Sequence, residues 1–200
     1  MTPRVSLTWE PSDDLTLYAS YSQGFKSGGF DMRGDAVLTP ATVNGYDPEF
    51  VDTYEIGFHS SWFNGRANLS GAIFTSEYSD MQITRQEPTL GGSIASFVDN
   101  AAQATIDGAE LEGSVVVTDS LTANFAVGYI DAEFGEYNSF AVNPAPPPAT
   151  IPIDLSGVAS FQNTPDLTGA FSLSYSVPVG PGALTFTPSA SYRGDSQMFE

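Results

Sequence analysis

LTLYASYSQGFKSGGFD, residues 15–31, decides how this chain must be read. Its first half alternates, with Leu15, Leu17, Ala19 and Tyr21 on one face and Thr16, Tyr18, Ser20 and Ser22 on the other. A period of two is the mark of a strand with one apolar and one polar side. The second half drops the pattern for Gly24, Gly28 and Gly29, two phenylalanines and Lys26, one of only six basic residues in the chain. A spanning strand that leaves a membrane and opens into a surface loop reads this way.

Working outward, seven more segments alternate. Val5, Leu7 and Trp9 share a face, as do Tyr54, Ile56 and Phe58, the latter opposed by Thr53, Glu55 and His59. Leu69, Gly71 and Ile73 follow, with Phe74 blurring the pattern; Leu111, Val115 and Val117 oppose Glu110 and Glu112. The last three run through Leu121–Tyr129, Leu167–Val177 and Leu184–Tyr192. No window carries a helical period, so the chain is all-β and antiparallel, with about eight strands.

The connections are asymmetric. Those at residues 11–14, 62–65, 118–120 and 178–182 are tight, and Asn64-Gly65 is a hairpin signal because both residues accept positive φ. The intervening connections, after residue 26, around EPTLGGSIAS and from Phe134 onward, are long. All tight turns therefore fall at one end of the sheet and all long loops at the other. Short periplasmic turns, long extracellular loops and strands of about 9–11 residues fit an up-and-down transmembrane β-barrel. Trp9, Trp62 and Phe63 beside tight turns, with Tyr21, Phe25, Tyr78 and Tyr129 near long loops, suit two aromatic girdles. A soluble or surface-exposed β-sandwich binding module shows the same alternation and is the alternative. The two differ in whether Leu15, Leu17, Phe171 and Leu173 are buried by a second sheet.

Composition excludes much else. The chain holds 24 acids against 6 bases, a formal charge of −18, which disfavours nucleic acid. It has no cysteine and one histidine, so disulfides, thiolate sites and most histidine-based catalysis are absent. No nucleophile–base pair can be assembled; the chain reads as no enzyme and implies no cofactor or metal. No apolar run approaches the roughly 18 residues of a spanning helix, and no signal peptide is visible. Two Arg-Gly-Asp triplets, at residues 33–35 and 193–195, and the Asn68-Leu69-Ser70 sequon read as chance.

Four segments together resemble the C-terminal barrel of TonB-dependent outer-membrane receptors. They are residues 15–31, DPEFVDTYEIGFHSSWFNGRANLSGAIFTSEYSDMQI at 47–83, VDNAAQATIDGAELEGSV at 98–115, and ASYRGDSQMF at 190–199. Ala102 stands where that family more often has glycine. The resemblance implies about eight strands of a 22-stranded barrel, with plug domain, signal peptide and last strands lying outside residues 1–200. It implies an integral outer-membrane protein for energised uptake of a ferric siderophore or another large nutrient. TonB would act through the plug, with lipid and lipopolysaccharide around the wall. A passive porin differs only in lacking the plug.

On that reading the long loops supply ligand contacts, with Lys26, Arg33 and Arg85 attracting an anionic ligand and Phe30 and Tyr46 offering aromatic faces. Phe25 and Phe97 suit the same role or loop packing. Glu55, Glu110 and Glu112 point into the lumen, toward basic residues of the plug; His59 is a polar wall residue on the same face.

Overall fold

The computed structural model describes residues 2–34, 37, 39–88, 93–143 and 149–198. Ten strands run in chain order: β1 Arg4–Ser12, β2 Leu15–Lys26, β3 Glu49–Trp62, β4 Ala67–Pro88, β5 Ile94–Thr118, β6 Leu121–Asn143, β7 Ala149–Asp154, β8 Leu167–Val179, β9 Gly182–Phe186 and β10 Ser189–Arg193. All belong to one antiparallel sheet whose path is β1-β2-β3-β4-β5-β6-β8-β10. β9 and β10 both pair with β8 and form one line, broken beside Pro188. The sheet therefore makes eight passes, as the alternation predicts, while β7 is a short partner to the outer part of β6.

Register carries the apolar face across every pass. Directly paired residues lie on one side of a sheet. One such row reads Trp9, Leu17, Phe58, Gly71, Leu111, Val127, Gly169 and Tyr192. The neighbouring row on the opposite side reads Thr16, His59, Ser70, Glu112, Ala126, Ala170 and Ser191. Nothing covers the apolar side: Leu7 is 72% exposed and Phe171 48%. Leu15, Leu17 and Leu173 are half-buried, shielded by neighbours in their own layer. A sandwich would bury all of these under a second sheet, and the described residues form only one. The layer is a barrel wall, open at β1 and β10.

The ends of the apolar band are marked as lipid headgroups demand. Trp9 and Trp62 stand by the tight turns. At the far end Tyr21 and Tyr54 are paired at 5.1 Å, and the Tyr21 hydroxyl donates to Asp52 at 2.6 Å. In their own row the face turns acidic at Asp107 and Asp131, and in the next row out at Asp52, Glu77 and Glu133. Ser60, a polar residue within the apolar face, is 8% exposed and donates its hydroxyl to the Leu69 carbonyl at 3.1 Å. Its polarity is thereby satisfied inside the sheet.

A one-layer wall has no core, and part of what replaces it is rings laid across cross-strand glycines. Tyr18 covers Gly57, Phe58 covers Gly71, Phe74 covers Gly108 and Phe125 covers Gly113, each pair directly opposed in register. A Cβ on any of these glycines would come under 3.0 Å from the ring. Phe74, ambiguous in the sequence, thus belongs to the lumenal face, where Gly108 makes room for it. The tight turns form as predicted, with Phe63, Asn64 and Gly65 all at positive φ.

Two connections differ from expectation. The segments flanking residues 89–92 are strand, because β4 and β5 stay paired from Gln82↔Asn100 out to Pro88↔Ile94. Likewise β6 and β7 pair from Asn138↔Asp154 to Asn143↔Ala149. Strands β4 and β5 consequently reach 22 and 25 residues, well past the length a membrane needs. The reason is burial: beyond the bilayer these segments shelter Phe97, Ala101, Ala102 and Tyr137. Residues 89–92 and 144–148, Asp35 of the first Arg-Gly-Asp and Phe199 of the last family-like motif lie outside the described residues.

Two substitutions on β6 test the facing. Val127→Arg, on the lipid side, should cost about 2–4 kcal/mol, and Asn124→Arg, on the wet side, under about 1, read by urea unfolding of the barrel from vesicles. A second pair tests the ring-over-glycine packing. Gly108→Val should cost about 1–3 kcal/mol by displacing Phe74, whereas Gly169→Ala, whose nearest neighbour is 3.8 Å away, should stay within about 0.5.

Candidate functional site

The wall ends at a line of bulges. On β4, Ser79 and Asp80 fall between the paired Tyr78 and Met81, and Asp80 takes a positive φ of 53°. On β5 the extra residue is Ala101; on β6 it is Gly135. Bulges bend and twist the strand that carries them. Above this line the strand extensions and the described parts of the β2–β3 connection, residues 27–34 and 39–48, fold into an outer rim with its own buried residues. Thr39, Phe97, Ala101, Ala102, Ala104 and Tyr137 are its least exposed members.

The glycines after Lys26 are explained there. Gly29 and Tyr46 exchange both backbone hydrogen bonds, at 2.9 and 2.8 Å. Gly28 presses against the Tyr46–Pro48 backbone and Gly29 against the Tyr46 ring, leaving no room for a side chain at Gly28. The loop then turns back on the β4–β5 hairpin. Asp31 accepts from the Arg33 backbone at 2.9 Å, from its guanidinium at 2.6 Å, and from the Val98 N–H at 2.8 Å. These bonds, the guanidinium's first, hold the Asp31 carboxyl well below the usual carboxylate range. Asp154 does similar work at the end of β7, accepting from the N–H groups of Ser156 and Tyr137, and is also lowered.

The loop candidates fall on this rim, and each of the three cations faces a carboxylate. Lys26 lies 4.0 Å from Glu49 at the foot of the loop. Arg33 is held by Asp31. Arg85 is paired with Asp99, is 13% exposed, and places its guanidinium 4.5 Å from the centre of the Phe140 ring. Phe30 is 73% exposed, with Met32 and Val43 also open on the same loop. Tyr46 is half-buried against Gly29. Phe97 is 2% exposed, so it packs the rim and offers no face to a ligand. Phe25 lies against Phe50 at 6.4 Å.

The lumenal candidates gather on the concave side. Tyr18, His59, Ser70, Glu110 and Glu112 line a hollow of about 430 Å³ floored by Ala72, Ala126, Gly128 and Ala170. Tyr18 stacks on His59 with ring centres 5.5 Å apart, and His59 Nδ1 lies 3.1 Å from Ser70 Oγ. Glu55 sits one row above Tyr18, beside Ser20 and Phe74. Small residues on the floor leave the carboxylates accessible from within. Tyr18 went unnoticed in the sequence because it looked like one polar member of an alternating strand. Gln82, Asn100 and Asp31 lie within the family-like segments, but nothing in the sequence assigns them a role, because their partners are backbone groups distant in the chain.

A single antiparallel layer with a bare apolar outside, a wet concave inside, tight turns at one edge and a folded rim at the other is the wall of an outer-membrane β-barrel. A family model described as TonB dependent receptor-like, beta-barrel matches residues 1–199, and the chain belongs to that family. Its place is the bacterial outer membrane. The metal-pseudopaline receptor CntO of Pseudomonas aeruginosa is 29% identical over 66% of this chain and 17% of its own length. A probable TonB-dependent siderophore receptor, PiuA of Acinetobacter baumannii, is 26% identical over 66% of this chain and 17% of its own. Among solved structures, the ferric yersiniabactin uptake receptor FyuA of Yersinia pestis superposes with a TM-score of 0.68 at 20% identity, covering 94% of this chain and 25% of that one. The chain thus spans about a sixth of the curated relatives it matches, 17% in both cases above.

The Asp31 and Asp154 contacts make a pH prediction. A carboxyl lowered by folding stabilises fully above the ordinary aspartate pKa, about 3.9, and loses that contribution as pH falls below it toward the lowered value. Exchange protection at the Val98 and Tyr137 amides, corrected for intrinsic rates, should stay level from about pH 8 to 5 and decline below about 4. Asp31→Asn should lower the plateau at Val98 and flatten its decline, leaving Tyr137 unchanged.

Proposed function

We propose that this chain is a stretch of barrel and outer rim from a receptor that imports a ferric siderophore or similar metal–chelate nutrient, energised through TonB. The observation that supports it most is the joining of a barrel wall of this family to a folded rim at the outward end. A passive pore needs the wall but gains nothing from a packed rim. The chain does no bond chemistry on this reading. It contributes wall, lumen lining and loop surface, while a plug domain and the remaining strands come from the rest of the protein. In lipid the edges at β1 and β10 must find strand partners, either each other or further strands of the barrel.

Residue roles follow. Phe30 and Tyr46 offer aromatic surface to the chelate; Lys26, Arg33 and Arg85 set the local field around an anionic one. Glu55, Glu110 and Glu112 face the plug, whose basic side chains would make charge-assisted hydrogen bonds to them. Lipopolysaccharide surrounds the wall outside the Tyr21–Tyr54 girdle. The relatives named as siderophore or metal–chelate receptors support this class of cargo.

The test is radio-iron uptake in cells carrying the complete receptor, with and without TonB. Ferric forms of a catecholate, a hydroxamate and pyoverdine serve as probes. At least one should enter only when both receptor and TonB are present, and Glu110→Gln with Glu112→Gln should slow entry without lowering receptor abundance. Uptake of none, or uptake indifferent to TonB, would sink the reading.

A further inference from the structure

We propose that Gln82 and Asn100 are positioning residues of the outer ligand surface: their side-chain amides fasten both ends of the loop at residues 27–48 to the β4–β5 hairpin, so that loop and hairpin meet a ligand as one preformed body. The proposal rests on the receptor reading above.

The two residues are cross-strand partners, one pairing beyond Met81↔Ala102 and just past the bulges at Asp80 and Ala101. The ladder between β2 and β3 stops just there, at Lys26↔Glu49. Where backbone pairing ends, these side chains continue it. The Gln82 amide donates toward the carbonyls of Ser27 at 3.1 Å and Asp47 at 3.0 Å, with Lys26 at 3.4 Å. Its backbone N–H donates to Glu49 at 2.8 Å. Asn100 accepts from the Asp47 N–H at 2.6 Å and donates to the Asp47 carbonyl at 2.9 Å, and it also donates to the Asp80 carbonyl at 2.6 Å. It therefore does for Asp47 what the peptide group of a neighbouring strand would do. Only a carboxamide both donates and accepts in this way; a carboxylate cannot donate.

The consequence is preorganisation. A free loop must lose its entropy when ligand binds, and that loss subtracts from affinity. Here the loop's two ends are already joined to each other and to the hairpin, and Asp31 repeats the tie further out at Val98. Phe30 and Tyr46 on the loop thus keep a fixed relation to Arg85 on the hairpin. Substituting either amide frees the loop base and leaves the wall ladder intact.

The experiment uses the complete receptor in outer-membrane vesicles, comparing hydrogen exchange of wild type with Gln82→Met and with Asn100→Asp, which keeps the shape and removes the donor. Exchange over residues 28–34 and 45–48 should rise about tenfold, with residues 54–58 and 121–129 unchanged. For whichever ferric probe is transported, the half-saturating concentration should rise while the maximal rate stays within about twofold. Unchanged loop exchange in both variants overturns the proposal, as does a parallel rise in the wall, which would mean a general folding role. If Gln82→Met fails to assemble, Asn100→Asp decides by the same readouts. A receptor that imports none of the probes defeats the uptake reading alone, because the exchange comparison needs no ligand.

Discussion

Everything in this chain follows from the need to pair backbone groups where no water can reach them. In hydrocarbon an unpaired N–H or C=O costs several kcal/mol, so strands can cross only as members of a continuous ladder. Seven interfaces between successive passes meet that demand here, in antiparallel register. Because the ladder fixes which residues stand opposite, it also fixes the faces. One slipped residue would turn Leu111 inward and Glu112 into lipid. The ladder is thus the source of both stability and sidedness, and the tight turns keep its register short-range.

A wall built this way lacks the two-sided packing that specifies most folds, and the chain locates its packing elsewhere. Within the wall, rings over glycines give local contact without thickening the layer. Past the bulges water returns, side chains can close on one another, and a small core forms around Phe97 and Tyr137. Rigid wall, bend and packed rim are therefore consecutive states of the same strands as their solvent changes.

That division also explains what could be read from sequence. Inside the membrane each strand faces two different media, so Leu7 against Thr8 or Val127 against Gly128 announces the fold by simple alternation. Above the bulges the media are the same on both sides, and alternation loses its meaning. The extension of β4 and β5 through ITRQE and IASFV was consequently taken for loop, and β7 was not seen. Glycines 28 and 29 were noticed, but the contact that requires them, Tyr46, lies seventeen or more residues away in the chain. Glu55, Glu110 and Glu112 share the face opposite the apolar one, as the period of two implies. The amides of Gln82 and Asn100 were invisible because their partners are backbone atoms of another loop.

The rim also changes how its charges should be understood. Six basic residues in a chain of −18 invite the idea of cationic bait for an anionic ligand. Yet Lys26, Arg33 and Arg85 each face a carboxylate: Glu49, Asp31 and Asp99. The Arg33 pair is tied through Asp31 to the hairpin backbone, and the Arg85 pair is largely shielded and capped by Phe140. A ligand drawn to the Arg85 guanidinium would have to displace a partner already in place, and breaking that sheltered pair leaves an uncompensated charge behind. Long-range attraction is weak for the same reason, since each cation is neutralised within 4.0 Å or less. The cations thus act first on loop architecture. Recognition at this rim falls more naturally to exposed apolar and aromatic groups such as Phe30 and Met32, held in place by the ion pairs and carboxamides beneath them.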